Sequence, residues 1–266
     1  MGNVSERRKQ PPQVGVSVVI LALGPVPQSD VGAGAASSGM GSTLWMPLVK
    51  RVRQPFLGQW ALPGGGLRAD HSLEQSAYAA LESTTSLHPK YLEQLYTFGD
   101  PARSHGGLPM VSIVYWALVG EADGRIDFAG GDNVKWFPVN HLPELAFDHR
   151  TIVEYAINRL RGKIESPDIA TRLVGERFTL SQLHDVYEAI AGQRIDLANF
   201  RRKMLASGLL EDTGEKLRIG RNRPAVYRYS RKPGTDLWTE AGTASESDDT
   251  RIAFQDDDAL SALMTA

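Results

Sequence analysis

The stretch WALPGGGLRADHSLEQSAYAALESTTSL, from Trp60 to Leu87, decides the fold of the first half of the chain. Three consecutive glycines follow an apolar tetrapeptide, and Ser72 with Gln75 then forms a capping-box pattern for the start of a helix. The segment behind that cap repeats apolar residues at helical spacing: Leu73, Ala77, Ala80 and Leu81. We therefore predict a strand, a glycine-rich turn and an amphipathic helix, in that order.

The spacing of this stretch resembles the Nudix box, whose pattern is G-x5-E-x7-R-E-U-x-E-E-x-G-U, with U a bulky aliphatic residue. With the first glycine of the box placed on Gly65, every later position aligns without a gap, and Leu81 and Leu87 fill the two aliphatic positions. The segments PFLGQW before the box and WFPVNHLPELAFDH after it also resemble Nudix-domain sequences. The resemblance implies a Nudix-like α/β/α sandwich.

The residues that carry chemistry in the Nudix box are replaced in this chain. Six positions depart from the pattern: His71, Ala79, Ala80, Ser83, Thr84 and Ser86. In the Nudix pattern these six positions hold, in the same order, the first Glu, the Arg-Glu pair, the paired glutamates and the final glycine. In the family the glutamates hold Mg²⁺ against a diphosphate, because a hard divalent cation needs carboxylate oxygens. Glu74 and Glu82 remain only where the box imposes no residue. We therefore predict no metal site, no catalytic residue and no hydrolysis.

Composition and charge exclude several protein classes. The 266 residues suit two domains, and 42% hydrophobic with 23% charged residues is typical of a globular protein. No apolar run approaches the roughly 18 residues of a membrane span, and MGNVSERRKQ shows no secretory pattern. The absence of cysteine excludes thiol chemistry and fits a cytoplasmic protein. The net charge of -2 divides into 0 over residues 1–166, +5 over 167–232 and -7 over 233–266. A basic module of this kind is typical of a protein that binds a polyanion.

The hydrophobic pattern also predicts the other elements of the first domain. Val16–Leu23 and Thr43–Val52 form a strand pair around the Gly/Ser/Ala-rich loop 24–41, and Asp148–Arg161 forms a closing amphipathic helix. We predict a polar tail over residues 1–12, a Nudix-like effector and dimerisation domain over 13–162, a DNA-binding domain over 163–232 and an acidic, disordered tail over 233–266. The fold class is therefore α+β.

The DNA-binding domain shows the order of a winged helix-turn-helix. After Ser166 we predict three helices, of which the second is capped by Thr179 before Leu183–Ile190 and the third by Asp196 before Leu197–Ser207. A hairpin follows, with predicted strands at 216–219 and 225–229 around a Gly- and Pro-containing turn. Three helices and a hairpin in about 65 residues are typical of this DNA-binding fold.

The third helix has the two faces of a recognition helix. Its apolar face holds Leu197, Phe200, Met204 and Leu205, and its polar stripe holds Asn199, Arg202, Lys203 and Ala206. Asn pairs with adenine, Arg pairs with guanine and Lys sits on phosphate. We assign phosphate contacts to Arg201 and backbone or minor-groove contacts to Arg221 and Arg223 at the wing. The alternative is a solvated cationic helix end that complements the helix dipole.

A Nudix-like domain with an altered box, joined to a winged helix-turn-helix, resembles the Nudix-related transcriptional regulators of NAD metabolism, the NrtR family. The resemblance covers residues 14–232 and includes FGDPARS, AFDH and FTLSQLHDVYEAI followed by IDLANFRRKMLASGLL. It implies a homodimeric repressor of NAD synthesis or salvage genes on a palindromic operator of double-stranded DNA. It also implies a small nucleotide effector, ADP-ribose or a related nucleotide, and no cofactor. In the family FGDP commonly continues to an Arg-Asp pair, whereas Ser104 follows Arg103 here.

Four residues are candidates for effector binding. Gly64 and Gly65 let the backbone approach a diphosphate, and Arg53 or Arg103 can supply positive charge in place of the metal. For His71 we favour an exposed loop residue over a ligand or pH sensor, because no second metal ligand accompanies it. Two rival functions stay open at this point. One is an active Nudix hydrolase with a DNA-binding appendage, and the other is a repressor that is constitutive or controlled by covalent modification.

Overall fold

The computed structural model describes residues 12–27, 41–89, 91–104, 109–120, 126–164 and 166–230. The predicted acidic tail, most of the predicted polar tail and most of the predicted loop 24–41 lie outside these residues. Among the described residues, no helix is both long and apolar enough to span a bilayer.

The first domain is built on a mixed seven-stranded sheet. Its strands are β1 (Gln13–Gly24), β2 (Thr43–Lys50), β3 (Trp60–Ala61), β4 (Gly64–Gly66), β5 (Tyr91–Phe98), β6 (Met110–Val119) and β7 (Val134–Pro138). The main order is β3-β2-β1-β6-β5, with β4 also paired to β1 and β7 to β2. β1 runs antiparallel to β2 and parallel to β6. The predicted pairing of the first two strands is therefore confirmed.

Alternate side chains of β1 enter two different hydrophobic clusters. Val18 and Ile20 pack with Ala77 and Leu81 of helix α1 (Leu73–Thr85) on one face of the sheet. Val19 and Leu21 lie in the other cluster with Ile152, which belongs to helix α2 (His149–Gly162). A strand buried on both faces is a continuous apolar run, as VSVVILAL is. The predicted α/β/α sandwich is confirmed.

The second domain contains the predicted three helices and a hairpin. The helices are α3 (Pro167–Val174), α4 (Leu180–Ala191) and α5 (Leu197–Ala206), and the strands are β8 (Leu210–Lys216) and β9 (Ala225–Tyr229). Thr179 and Gln182 make both hydrogen bonds of the capping box. Asp196 accepts from the backbone N–H of Asn199 at 2.7 Å. Gly208 has the left-handed φ of 68° that ends a helix.

The predicted position of the first wing strand is wrong. The strand spans Leu210–Lys216 instead of residues 216–219, and it pairs Leu210 with Tyr229. Its register shifts between Asp212 and Lys216, where Gly214 has a φ of 75°. Such an irregularity breaks the period-two alternation on which strand prediction depends.

The two domains share one hydrophobic cluster. Met46 of β2 and Leu118 of β6 belong to the same cluster as Leu183 of α4 and Phe200 of α5. Polar contacts border it: Lys163 Nζ lies 3.1 Å from Glu93 Oε1, and Arg161 Nε donates to the Ile190 carbonyl at 3.2 Å. The winged helix is therefore packed directly on the sheet.

At Gly120 the backbone of the first domain passes close to the backbone of the second. Gly120 follows β6 and is buried, and a Cβ at this position would lie 2.4 Å from the carbonyl oxygen of Arg172 in α3. No real Cβ contact is that short, so a larger residue forces one backbone to move. Glycine is thus the residue that permits α3 to dock at the end of β6.

We expect Gly120→Ala to lower the free energy of unfolding by about 1–3 kcal/mol, because overpacking against backbone cannot be relieved by rotating a side chain. Gly131→Ala is the matched control, since a Cβ there meets nothing within 4 Å. It is expected to change stability by less than about 0.5 kcal/mol. Urea unfolding of both variants measures the difference, and equal stability would show that the α3 contact is not tight.

Candidate functional site

The Nudix-box segment folds as a strand, a turn and a capped helix. The Ser72 backbone N–H donates to Gln75 Oε1 at 2.8 Å, and the Gln75 N–H donates to Ser72 Oγ at 3.1 Å. At the other end Ser86 has a left-handed φ of 55°. Glycine adopts that conformation without strain, which gives a physical reason for glycine at this position of the box. The predicted capping box is confirmed.

Gly64 allows the entry to the box to lie flat on β1. Its φ is +154°, and a Cβ would lie 2.3 Å from the Val16 carbonyl oxygen. The Val18 N–H donates to the Pro63 carbonyl at 2.9 Å immediately beside it. The glycine-rich turn is therefore held against the central strand, with its backbone exposed on the other side.

A cavity of about 220 Å³, the box cavity, lies between this turn and helix α1. It is lined by Val16, Gly64, Gly65, Gly66, Arg68, His71, Ser76, Ala79, Ala80 and Ser83. The structure thus brings four of the six altered box positions together with both candidate glycines. Thr84 lines a separate cavity with Ile126 and Trp136, and Ser86 ends the helix.

The donor set around the box cavity does not fit the Mg²⁺ that the Nudix family implies. The Ser83 and Thr84 hydroxyls both donate to the Ala80 carbonyl, at 3.0 and 2.7 Å. Glu74 and Glu82 are exposed and do not line the cavity. Within the described part of the chain, three potential ligands of the His, Cys, Asp or Glu types converge only in the second domain. The described lining of the cavity therefore includes one cation, Arg68, and no carboxylate.

His71 is less exposed than the sequence predicts. The residue is half-buried in the wall of the box cavity. Its Nδ1 atom is buried and has no hydrogen-bond partner among the described residues. The expectation of an exposed loop residue is therefore wrong, because His71 lies in the wall of the cavity.

The arginine beside the box cavity is Arg68, which is not among the predicted effector residues. Its guanidinium makes two hydrogen bonds to Asp70, at 3.0 and 2.8 Å, and both side chains are 64% exposed. Hydrogen bonding to Arg68 lowers the pKa of Asp70. An exposed ion pair exchanges partners at little cost. Arg53 is exposed and is not among the cavity-lining residues, so its role stays a prediction.

Arg103, predicted to bind the effector, lies in an ion pair with Asp148. Its side chain is only 5% exposed and pairs with Asp148, with Nε to Oδ2 and a terminal nitrogen to Oδ1 both at 2.9 Å. It also donates to the Phe98 carbonyl at 3.0 Å. Burial alone would raise the pKa of Asp148, but the Arg103 contacts lower it. These bonds occupy the guanidinium, and the Arg103 assignment to the effector is corrected accordingly.

His149, next to this ion pair, is held neutral. It is buried, and its Nδ1 accepts from the Leu62 backbone N–H at 3.0 Å. Burial lowers the pKa of His149 from its ordinary 6.5 to about 4. The AFDH motif thus anchors the start of α2 to the strand that enters the box.

The recognition helix presents a cationic face. Phe200 and Met204 are buried, whereas Arg201 and Arg202 are exposed and Asn199 and Lys203 are half-buried. Leu205 is 53% exposed, so its predicted place on the buried face is wrong. The buried face of α5 is therefore narrower than its apolar pattern indicates.

Both arginines of α5 are held in place by neighbouring side chains. An Arg202 terminal nitrogen donates to Asn199 Oδ1 at 2.7 Å, and one of Arg201 donates to Ser181 Oγ at 3.0 Å. Ser181 belongs to α4. Arg202 therefore extends along the polar stripe with Asn199, and Arg201 leans towards the preceding helix.

The wing adds further exposed cations. Ile219 pairs with Asn222, which places Gly220 and Arg221 at the tip. Arg221 and Arg223 are exposed, and their DNA contacts stay a prediction. Lys216 and Arg218 are exposed on the same wing and are absent from the predicted set. The alternation of basic residues in KLRIGRNR is the sequence feature that indicates them.

We expect stability to fall as the pH drops from 6.5 towards 4, because the unfolded state binds a proton at His149 that the folded state refuses. A pKa lowered from 6.5 to about 4 corresponds to a loss of about 3 kcal/mol across that window. His149→Asn retains an acceptor for Leu62 and cannot titrate, so its stability should depend less on pH. Urea unfolding at pH 4–7 measures this dependence, with the exposed His88→Asn as control. An unchanged slope in His149→Asn would contradict the assignment.

Two family models match the chain. The NUDIX domain matches residues 33–156, and the NrtR DNA-binding winged helix domain matches residues 170–229. The boundaries predicted at 13–162 and 163–232 stay predictions.

Three individual relatives are similar to the chain over different shares of its length. The ADPR responsive transcriptional repressor NtrR of Acinetobacter baylyi is 30% identical over 187 residues, which cover 69% of this chain and 74% of that protein. The structure of Shewanella oneidensis NrtR complexed with a 27mer DNA is 33% identical, with a TM-score of 0.62, over 82% of this chain and 93% of that one. An ADP-ribose pyrophosphatase of Methanocaldococcus jannaschii is 34% identical over 110 residues, which cover 40% of this chain and 62% of that enzyme. The chain belongs to the NrtR family, in which a Nudix domain is joined to a winged-helix DNA-binding domain.

Proposed function

We propose that the protein is a transcriptional repressor that binds double-stranded DNA and responds to ADP-ribose or a related nucleotide without hydrolysing it. The observation that carries the proposal is the cationic face of α5, presented by a winged helix that shares a hydrophobic cluster with a Nudix domain. The relative from Acinetobacter baylyi is named as ADPR responsive, and the relative from Shewanella oneidensis was solved with DNA.

The proposed DNA interface divides its work between bases and phosphates. Arg202 and Asn199 lie on the polar stripe of α5 and suit base edges in the major groove. Arg201 and Lys203 suit phosphates, and the wing arginines suit the backbone or a narrow minor groove. Two such modules in a homodimer would meet two half-sites of a palindromic operator. We propose operators of NAD synthesis or salvage genes and, with them, a cytoplasmic location.

The proposed effector site is the box cavity. The exposed backbone of residues 64–66 can approach a diphosphate, and Arg68 can supply charge where a metal ion would otherwise stand. An effector releases DNA only through a different affinity for the free and the DNA-bound conformations. Here a change around α1 and β1 can reach α5, because both domains meet in one packed cluster.

The similarity to an ADP-ribose pyrophosphatase favours a second candidate, an active hydrolase with a DNA-binding module. The donors around the box cavity speak against it, since Ala80, Ser83 and Thr84 leave no anionic cage for Mg²⁺. We therefore propose a domain that binds its nucleotide without turnover.

We expect the full chain to release no AMP from ADP-ribose in the presence of Mg²⁺. The measurement is chromatographic separation of products during a long incubation, with the Methanocaldococcus jannaschii enzyme as positive control. Binding of intact ADP-ribose is followed in parallel by calorimetry. Mg²⁺-dependent release of AMP would establish the hydrolase and overturn the proposed loss of catalysis.

Replacing Arg202 with Ala is expected to weaken operator binding by about 1–3 kcal/mol, because a base contact is lost. Fluorescence anisotropy on a duplex from upstream of the host's NAD synthesis genes measures the affinity, with a scrambled duplex as reference. Arg159→Ala is the matched control, since this arginine is exposed on α2 of the other domain. Equal loss on both duplexes would make Arg202 a phosphate contact, and no loss on either would remove α5 from the DNA interface.

A further inference from the structure

Helix α4 carries a buried cluster of three side chains that the DNA and nucleotide sites do not use. His184, Asp185 and Glu188 each offer a ligand atom, and these atoms lie within 4.8 Å of one another. His184 is 7% exposed and Glu188 is 6% exposed, while Asp185 is half-buried. Ionisable side chains this deep in a small domain are costly to bury unless they are paired or hold an ion.

The hydrogen bond of His184 leaves one ring nitrogen available as a ligand. Nε2 lies 2.8 Å from the Ile195 carbonyl oxygen, which can only accept, so Nε2 carries the proton. In the neutral ring Nδ1 keeps its lone pair and lies 3.9 Å from Asp185 Oδ1, while Nε2 lies 3.6 Å from Glu188 Oε1. Histidines that bind metal ions commonly donate their other N–H to a backbone carbonyl in this way, because the bond fixes the tautomer and the ring orientation.

Glu188 is left with one unpartnered oxygen. Its Oε1 accepts from the Ile195 backbone N–H at 2.8 Å. Its Oε2 is fully buried and has no hydrogen-bond partner among the described residues. A buried carboxylate oxygen without a donor loses its hydration with no compensation. A cation between the three side chains would supply that compensation.

We propose that His184, Asp185 and Glu188 form a binding site for a divalent transition-metal ion. One imidazole and two carboxylates suit Zn²⁺ and Mn²⁺, with water completing the coordination. The two buried ligands, His184 and Glu188, are both hydrogen-bonded to the backbone of Ile195, which orients them. The site is independent of the box cavity and of the proposed nucleotide effector.

The location of the cluster gives the ion a structural consequence. Ile195 directly precedes Asp196, which caps α5, and the His184 ring packs edge-on against Phe200 with centroids 5.2 Å apart. On the other side a Cβ at Gly41, just before β2, would lie 2.6 Å from Asp185 Oδ2. Binding an ion here therefore stabilises the turn before the recognition helix and the docking of α4 on the Nudix sheet.

The test is metal binding by the untagged full chain after treatment with a chelator. Equilibrium dialysis against Zn²⁺ or Mn²⁺ is expected to give one ion per chain, and the ion should raise the Tm by a few degrees. Glu188→Gln and His184→Gln retain the bonds to Ile195 and should each weaken binding at least tenfold. Asp185→Asn, at a half-buried position, serves where a buried variant does not fold. His88→Gln, with a side chain 73% exposed, is the control.

Two results would overturn the proposal. Absence of stoichiometric binding by the wild-type chain would mean that the cluster holds a proton in place of a metal ion. Binding that survives both Glu188→Gln and Asp185→Asn, or that His88→Gln abolishes, would place the ion elsewhere. Loss of binding in the cluster variants alone supports the site, provided that their circular dichroism spectra match that of the wild-type chain. This result does not depend on whether ADP-ribose acts on the protein.

Discussion

The burial of β1 on both faces is the constraint on which the rest of the structure depends. Its side chains alternate between the cluster under the box helix and the cluster that continues into the winged helix. Because both faces need cover, the glycine-rich turn, α1, α2 and the second domain must all pack on the same sheet. Protein interiors are close-packed and transmit strain, so a ligand on one face and DNA on the other act on a single packed body. The architecture therefore suits coupling between two sites better than it suits two independent modules.

The box of this chain retains the local structure of the Nudix pattern without the carboxylates of that pattern. The helix cap, the aliphatic positions and the turn glycines hold the same local structure whether or not carboxylates are present. What changes is the kind of ligand contact: amide groups, His71 and Arg68 surround a space where glutamates would hold a metal ion. Under the proposed function, such a site would recognise the charge and shape of a nucleotide without providing the Lewis acid that cleaves it.

Local patterns predicted most of the fold, and long-range contacts account for the differences. Both capping boxes, the paired first strands and the order of helices in the second domain follow from spacings of a few residues. Arg103 could not be placed from the sequence, because its partner Asp148 is 45 residues away. The irregular register around Gly214 breaks the alternation of the first wing strand, so its position was predicted wrongly. Arg68 was missed because it occupies a position at which the box pattern imposes no residue. The pair His184 and Glu188 has helical spacing, but its burial depends on how α4 meets α5 and β2.

Operator binding by the full chain during an ADP-ribose titration tests the coupling between the two domains. Fluorescence anisotropy on a labelled operator duplex and on its scrambled counterpart reports whether occupancy of the Nudix domain reaches α5. We expect ADP-ribose to release the operator over the concentration range in which it binds the protein. Unchanged operator affinity at saturating ADP-ribose would contradict the coupling between the two domains.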